Sequence, residues 1–397
     1  MNSRQEAQSA SGGEIAQLAI QIDRLDGDWI SSLRSLVELA SDTAQQRSAV
    51  AAGLACTNSS SPGRVYLAML HASLMEASGH VKAALNSWNL ASRAHTGRLD
   101  ALALEVLGLG SEEKFRARAA HMQSQRARYL HGSYERLKQS HGRAATFRVE
   151  RALAGYLGEA AVFSSHPTQK PKVLYVPGLG TGGFLDPSSH PLVPALRQAY
   201  PQIRADFERA LSDGAALEPF LGVSTSEVPH GYVSGGPRAA WDAVFFFRHG
   251  HRYEASHRLF PDTGRVLDSL DLCKIGGQSP EVCFSVLQPG SKIEPHHGVT
   301  NARVVIHLPL NVPQGCRLEL TDVGEHHWVE GEPMVFDDTF EHSATNPSEK
   351  PRGILLMDAW HPGLTTVERD AFRRLVEAIS SIEQDRMLPG DQSDEHH

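Results

Sequence analysis

The spacing of apolar residues changes character partway along this chain, and that change restricts the fold more than any single motif does. From about Glu14 to Gln139 apolar residues recur every three or four positions without long β-branched alternation, which is the period of amphipathic helices. Beyond Trp241 short β-branched and aromatic runs dominate, at residues 244–247, 282–287, 303–310, 317–320, 333–336 and 354–358. They are spaced by about ten residues and separated by Gly, Pro, Asn and Asp turns, the pattern of a β-sandwich or jelly roll. A chain of 397 residues, 41% hydrophobic and 21% charged, is long enough for two cores. The expectation is an α+β multidomain protein: a helical region over 1–140, a sheet-rich domain over 141–385 and a polar tail over 386–397.

Within the first part, residues 66–94 place Gly79, Ala84, Trp88 and Ala91 at the separations of two helices packing small residues against an aromatic. This is the pattern of a tetratricopeptide-like repeat, which normally stacks in threes or more. The flanking helices match it poorly, so a repeat array and an irregular helical bundle both stay open. A basic helix is predicted over 111–137, its arginines forming a solvated or domain-docking face. Residues 172–176 read as a strand, and the glycine-rich stretch after it, lacking a Gly-Lys-Ser/Thr ending, reads as a turn. Helices are expected over 191–211 and 366–384.

Composition excludes several classes. No run of about 18 apolar residues is present, and the first residues lack a basic segment followed by an apolar one, so neither a membrane span nor a secretory signal is expected. A cytoplasmic protein is the expectation. The net charge of -8 gives no reason to expect nucleic acid or an anionic membrane as partner. Four cysteines without a C-x-x-C pair point to reduced thiols, with no zinc site or disulfide framework.

The chemistry gathers in two short stretches. Pro295-His296-His297-Gly298 precedes one strong strand, and Phe336-Asp337-Asp338-Thr339-Phe340-Glu341-His342 follows another, with Arg352 just downstream. Two imidazoles on neighbouring strands can meet at one ion, and imidazole suits iron(II). In the usual two-histidine, one-carboxylate centre an acid stands two residues after the first histidine; here that position is Gly298. Neighbours on a strand point to opposite faces, so only one of His296 and His297 is expected to face the interior, and His296 is the choice.

These stretches resemble the aspartyl/asparaginyl β-hydroxylase family. The likeness runs over roughly 172–369 and includes Leu174-Tyr175-Val176-Pro177-Gly178-Leu179, Phe284-Ser285-Val286, Pro289-Gly290, Pro295-His296-His297-Gly298, Thr300-Asn301, Phe336-Asp337-Asp338, Phe340-Glu341-His342 and Trp360-His361-Pro362. The resemblance implies a double-stranded β-helix (jelly roll) oxygenase that binds Fe(II) through two histidines, uses 2-oxoglutarate as cosubstrate, and hydroxylates a β-carbon of an aspartyl or asparaginyl unit. Carried over, it makes His296 and His342 the iron ligands. Arg352 and Ser285 would bind the distal carboxylate of 2-oxoglutarate, and His307 the metal-proximal one. Arg303 would hold the substrate carboxylate. Asp337 and Asp338 are expected to bond backbone or to orient a ligand histidine.

The sequence departs from the family pattern at two places. Val305 and Cys283 stand where relatives acting on peptide aspartate carry cations, so a different or smaller substrate is expected, whether free, peptidyl or carrier-bound. The rival reading is a non-catalytic jelly-roll ligand sensor with a helical protein-interaction region. A third keeps the enzyme but gives it an acyl-chain substrate.

Overall fold

The computed structural model describes residues 2–41, 44–54, 62–94, 99–180, 182–213, 217–221, 232–235 and 239–383. Cys56 and the tail expected over 386–397 lie outside them. The chain divides into two compact units, one from the described residues of 1–133 with 378–383, the other Tyr134–Glu377.

The first unit is helical: α1 (Asn2–Arg24), α2 (Trp29–Ser41), α3 (Ala44–Leu54), α4 (Arg64–Ala77), α5 (Val81–Ala94), α6 (Ala101–Val106) and α7 (Glu112–Gly132). Helix α5 packs back on α4 after a turn at Gly79, whose φ of 79° is open to glycine at no steric cost. The small residues do what their spacing suggests: Ala84 and Ala91 are buried, and Trp88 packs on the core beside Phe115. The other helices, 6 to 23 residues long, follow no fixed period. The basic helix ends earlier than expected, at Gly132, and a separate helix α8 (Glu135–His141) follows. Its arginines are only partly solvated, since Arg118 pairs with Glu76 and Arg126 Nη2 lies 2.6 Å from Glu383 Oε1.

The second unit continues with α9 (Phe147–Tyr156), α10 (Val193–Asp213), α11 (Glu254–Leu259), α12 (Pro261–Ser269) and α13 (Thr366–Glu383), whose residues from Ala378 on belong to the first unit. Its strands are β1 (Phe184–Leu185), β2 (Glu218–Pro219), β3 (Val233–Gly235), β4 (Trp241–Arg248), β5 (His251–Arg252), β6 (Val282–Leu287), β7 (Ser291–His296), β8 (Arg303–Asn311), β9 (Arg317–Leu320), β10 (Gly324–His326), β11 (Met334–Phe336), β12 (His342–Asn346) and β13 (Arg352–Trp360). They form two antiparallel sheets. The larger runs β1-β11-β8-β13-β6-β4-β2 with β5 added on β4, and the smaller runs β10-β9-β12-β7-β3.

Period-two alternation explains how the larger sheet serves two environments. On β8, Val304, Ile306, Leu308 and Leu310 join a core with Leu196, Ile203 and Phe207 of α10. The odd positions Arg303, Val305 and His307 line a cavity on the opposite face. Strand β13 repeats this, with Leu355, Met357 and Ala359 in the core and Arg352, Ile354, Leu356 and Asp358 on the cavity.

Residues 172–176 do not form the expected strand. They run beside the 298–300 loop, with Lys172 N and Val173 N donating to Gly298 O and Val299 O, and Leu174 makes one parallel bridge to Thr300. Pro171 and Pro177, on either side, have no N–H to extend a ladder. Among the described residues no helix is long and apolar enough to cross a membrane. Cys273, Cys283 and Cys316 are buried free thiols.

Candidate metal centre and cosubstrate pocket

The smaller sheet pairs β12 with β7 so that His342 stands directly opposite His296. The imidazole centroids are 4.1 Å apart. A register shift between His342 and Ala344 resets the alternation on β7, so Ile293 and His296, three apart, both line the cavity. Strand β7 ends at His296, and the expected opposite facing of His297 does not follow: His297 lines the cavity too, with its buried Nε2 unpartnered.

Both proposed ligands are held the same way. His296 Nδ1 is 2.8 Å from Glu294 O and His342 Nδ1 is 2.9 Å from Phe340 O. A carbonyl accepts only, so each Nδ1 carries the proton and each Nε2 keeps its lone pair for an ion. Burial holds both imidazoles neutral, His342 down to about 3 with His296 adding to the effect. The orienting groups are thus backbone carbonyls, and of the two roles expected for Asp337 and Asp338 it is bonding to backbone that Asp337 takes, accepting from Thr339 N. Asp337 is spent on Thr339 and Gln169. Asp338 takes an unexpected place: its carboxyl occupies the space into which a side chain at Gly298 would project, and Gly298 N donates to Asp338 O at 2.6 Å.

Among the described residues no group of three or more His, Cys, Asp or Glu side chains is arranged around one ion. Two neutral imidazoles with inward lone pairs nevertheless fit a divalent iron that keeps several positions open, and the missing side chain at 298 leaves that side to the Asp338 carboxyl.

The cavity, of about 240 Å³, carries opposite features along β13. Arg352 and Asp358 lie on the same face six residues apart, about 20 Å at the rise of an extended strand. The Arg352 side chain is 1% exposed and stacks on Trp328 at 4.9 Å, and among the described residues no acid pairs with it. Its Nε has no acceptor, and burial lowers its pKa to about 10. Ser285, on the same face, accepts from Trp241 Nε1 at 2.9 Å, which leaves its own hydroxyl hydrogen free to donate. His307 is buried against Phe336 and Trp328 with Nδ1 unpartnered, and burial together with Arg352 holds it well below its ordinary pKa.

Arg303 also lines the cavity, but its guanidinium is engaged: Nη1 donates to Asp358 and Nη2 lies 3.5 Å from Asp338 Oδ2. The cavity-facing Trp241, Glu281 and Asp358 and the Arg352-stacking Trp328 were not among the expected site residues. Alternation along β13 from Arg352 points to Asp358. Trp328 sits in a loop that gives no such signal.

Comparison with known proteins agrees with this region. The sequence model of aspartyl/asparaginyl beta-hydroxylase matches residues 197–362, which contain every site residue above. Mouse aspartate beta-hydroxylase domain-containing protein 2 is 32% identical over 246 residues, 60% of this chain and 68% of that protein. Human aspartyl/asparaginyl beta-hydroxylase is 32% identical over 130 residues, 32% of this chain and 17% of that protein. A solved Pseudomonas putida prolyl-4-hydroxylase covers 46% of this chain at 18% identity and a TM-score of 0.27, too distant a likeness to argue from. The mouse relative's match, 32% identical and covering 68% of that protein, makes this chain a member of the aspartyl/asparaginyl β-hydroxylase family, whose sequence model spans the histidine pair and Arg352.

Proposed function

We propose that this chain is an Fe(II)- and 2-oxoglutarate-dependent dioxygenase of double-stranded β-helix architecture that hydroxylates the β-carbon of an aspartyl/asparaginyl-type substrate. One observation carries the reading: a single cavity holds two neutral imidazoles close together and, on another wall, a buried guanidinium that no acid among the described residues pairs with. A decayed sensor has no need of that combination.

His296 and His342 would hold iron through Nε2. Bound iron(II) supplies dioxygen activation, coupling oxidative decarboxylation of 2-oxoglutarate, to succinate and carbon dioxide, with conversion of C–H to C–OH. The residues of the chain do the positioning. Arg352 offers a charged fork to the distal carboxylate of 2-oxoglutarate and the Ser285 hydroxyl adds a second donor. Neutral His307 donates its single N–H to the carboxylate nearer the metal. Val305, Ile354 and Leu356 give that wall an apolar surface, which excludes water from the reaction. Arg303 stands on the substrate side of the same cavity. The helical unit is assigned to presentation of substrate or a protein partner, and the protein to the cytoplasm.

The test is incubation with Fe(II), 2-oxoglutarate and aspartyl or asparaginyl compounds. Succinate formation with a gain of one oxygen on a probe supports the assignment. No 2-oxoglutarate consumption in the presence of any of them refutes it.

A further inference from the structure

The wall around Arg303 is unbalanced in charge. Arg303 faces Asp358 and Asp338, and Glu281 adds a third carboxylate to the cavity lining. Asp358 Oδ2 is crowded with donors, because it also accepts from Ser279 Oγ at 3.1 Å and Glu281 N at 2.9 Å. Arg303 Nε has no partner but is itself shielded from solvent, so an incoming anion would compete with Asp358 and Asp338 for a guanidinium those two carboxylates already face. Among the described residues no other arginine or lysine lines this wall, since Val305 is apolar and Cys283 is a buried thiol.

Asp338 has the reverse problem. The residue is 7% exposed, lines the cavity, and its Oδ1 has no hydrogen-bond partner, while burial lifts its pKa to about 7 against the pull of Arg303, so it is an ionised acceptor only above neutral pH. A buried acceptor in this state is costly until a donor arrives. Glu281 accepts from His249 N at 2.6 Å, yet burial still lifts its pKa to about 7, in keeping with a wall short of positive charge.

Resting on the hydroxylase reading, we infer that the substrate side of this cavity recognises an N–H donor, the amide of an asparaginyl-type unit or the ammonium of a basic one, and rejects a carboxylate. A donor completes the open Asp338 acceptor and offsets the excess of carboxylates over the single guanidinium. A carboxylate meets like charges, with the one nearby cation already paired.

The experiment is calorimetric titration of the full chain, with 2-oxoglutarate and Mn(II) present, using acetyl- and amide-capped asparagine, lysine and aspartate as probes. At pH 7.5 the asparagine or lysine probe is expected to bind at least tenfold more tightly than the aspartate probe, and which of the two leads identifies amide or ammonium. In Glu281→Gln the aspartate probe should gain at least threefold relative to the leading probe. Equal affinities, a lead for aspartate or no binding by any probe overturns the inference, and the wild-type comparison needs no variant to fold. Succinate formation, measured in parallel, judges the oxygenase assignment separately, so donor selectivity can stand or fall without it.

Discussion

Replacing Arg352 with Met should make the ligand-free protein more stable while nearly abolishing its affinity for 2-oxoglutarate. The guanidinium is 1% exposed, and burial lowers its pKa to about 10. At 1.36 kcal/mol per pKa unit, holding that charge inside costs about 3 kcal/mol. The penalty is present at every pH below about 10, where the group is charged, and fades only above it. Against it stands the stacking of Arg352 on Trp328, 4.9 Å from ring centre to guanidinium carbon and worth about 1–2 kcal/mol when desolvated. Methionine keeps most of the volume, so the net gain should be about 1–2 kcal/mol, equal at pH 6 and pH 8. Bound 2-oxoglutarate reverses the balance, because charged hydrogen bonds contribute about 1.5–3 kcal/mol each. Their loss should raise Kd by roughly two orders of magnitude. Urea unfolding with and without 2-oxoglutarate reads both effects. A variant destabilised by more than about 1 kcal/mol without ligand, or one whose Kd moves less than about threefold, refutes the reasoning.

Further outcomes follow from the same geometry. His342→Ala should abolish 2-oxoglutarate turnover and lower bound iron, measured by elemental analysis, with the circular dichroism spectrum unchanged; retained iron-dependent succinate formation would exclude it as a ligand. Gly298→Ala places a Cβ where the Asp338 carboxyl lies, so it should cost about 1–3 kcal/mol and displace that carboxyl, read as a lower Tm; an unchanged Tm would count against the close fit at this position. Glu281 has a raised folded-state pKa of about 7, so its stabilising contribution is complete below its unfolded pKa and is lost as pH rises toward 7. Glu281→Gln should therefore match wild type near pH 4 and exceed it in urea stability by up to about 3 kcal/mol at pH 8; a constant difference across that range would count against the assignment.

The division into helices and sheets was legible because both periods are strong, and so was the larger sheet, where β6, β8 and β13 are nearly continuous apolar runs. The strands that carry the metal ligands were harder to see. Strand β7 reads Ser-Lys-Ile-Glu-Pro-His and β12 reads His-Ser-Ala-Thr-Asn, with little β-branched or aromatic content. They are strands because neighbours on the smaller sheet pair with them, a case of tertiary context outweighing local propensity. Residues 172–176, Lys-Val-Leu-Tyr-Val, show the converse: strong local propensity between two prolines, and only one bridge.

The site shows the same division between what a sequence displays and what only folding supplies. Two histidines and a downstream arginine are visible as residue types, and a family likeness can attach roles to them. What those residues face is a separate matter. Arg303 and Arg352 both line the cavity, the first partly and the second fully buried, yet Arg303 is matched by Asp358 and Asp338 whereas among the described residues no acid pairs with Arg352. That difference arises from register, since β13 sets Asp358 opposite Val305 and Trp360 opposite Arg303 while Arg352 falls beside Leu287 of β6. An arginine left unpaired in the interior is tolerated only where a ligand completes it, and an arginine already paired shapes selectivity by what it cannot accept. On the proposed function and the inference drawn from it, the two guanidiniums, alike in sequence, have opposite consequences for binding: one would anchor an anion, and the other would hold in place the carboxylates that turn a second anion away.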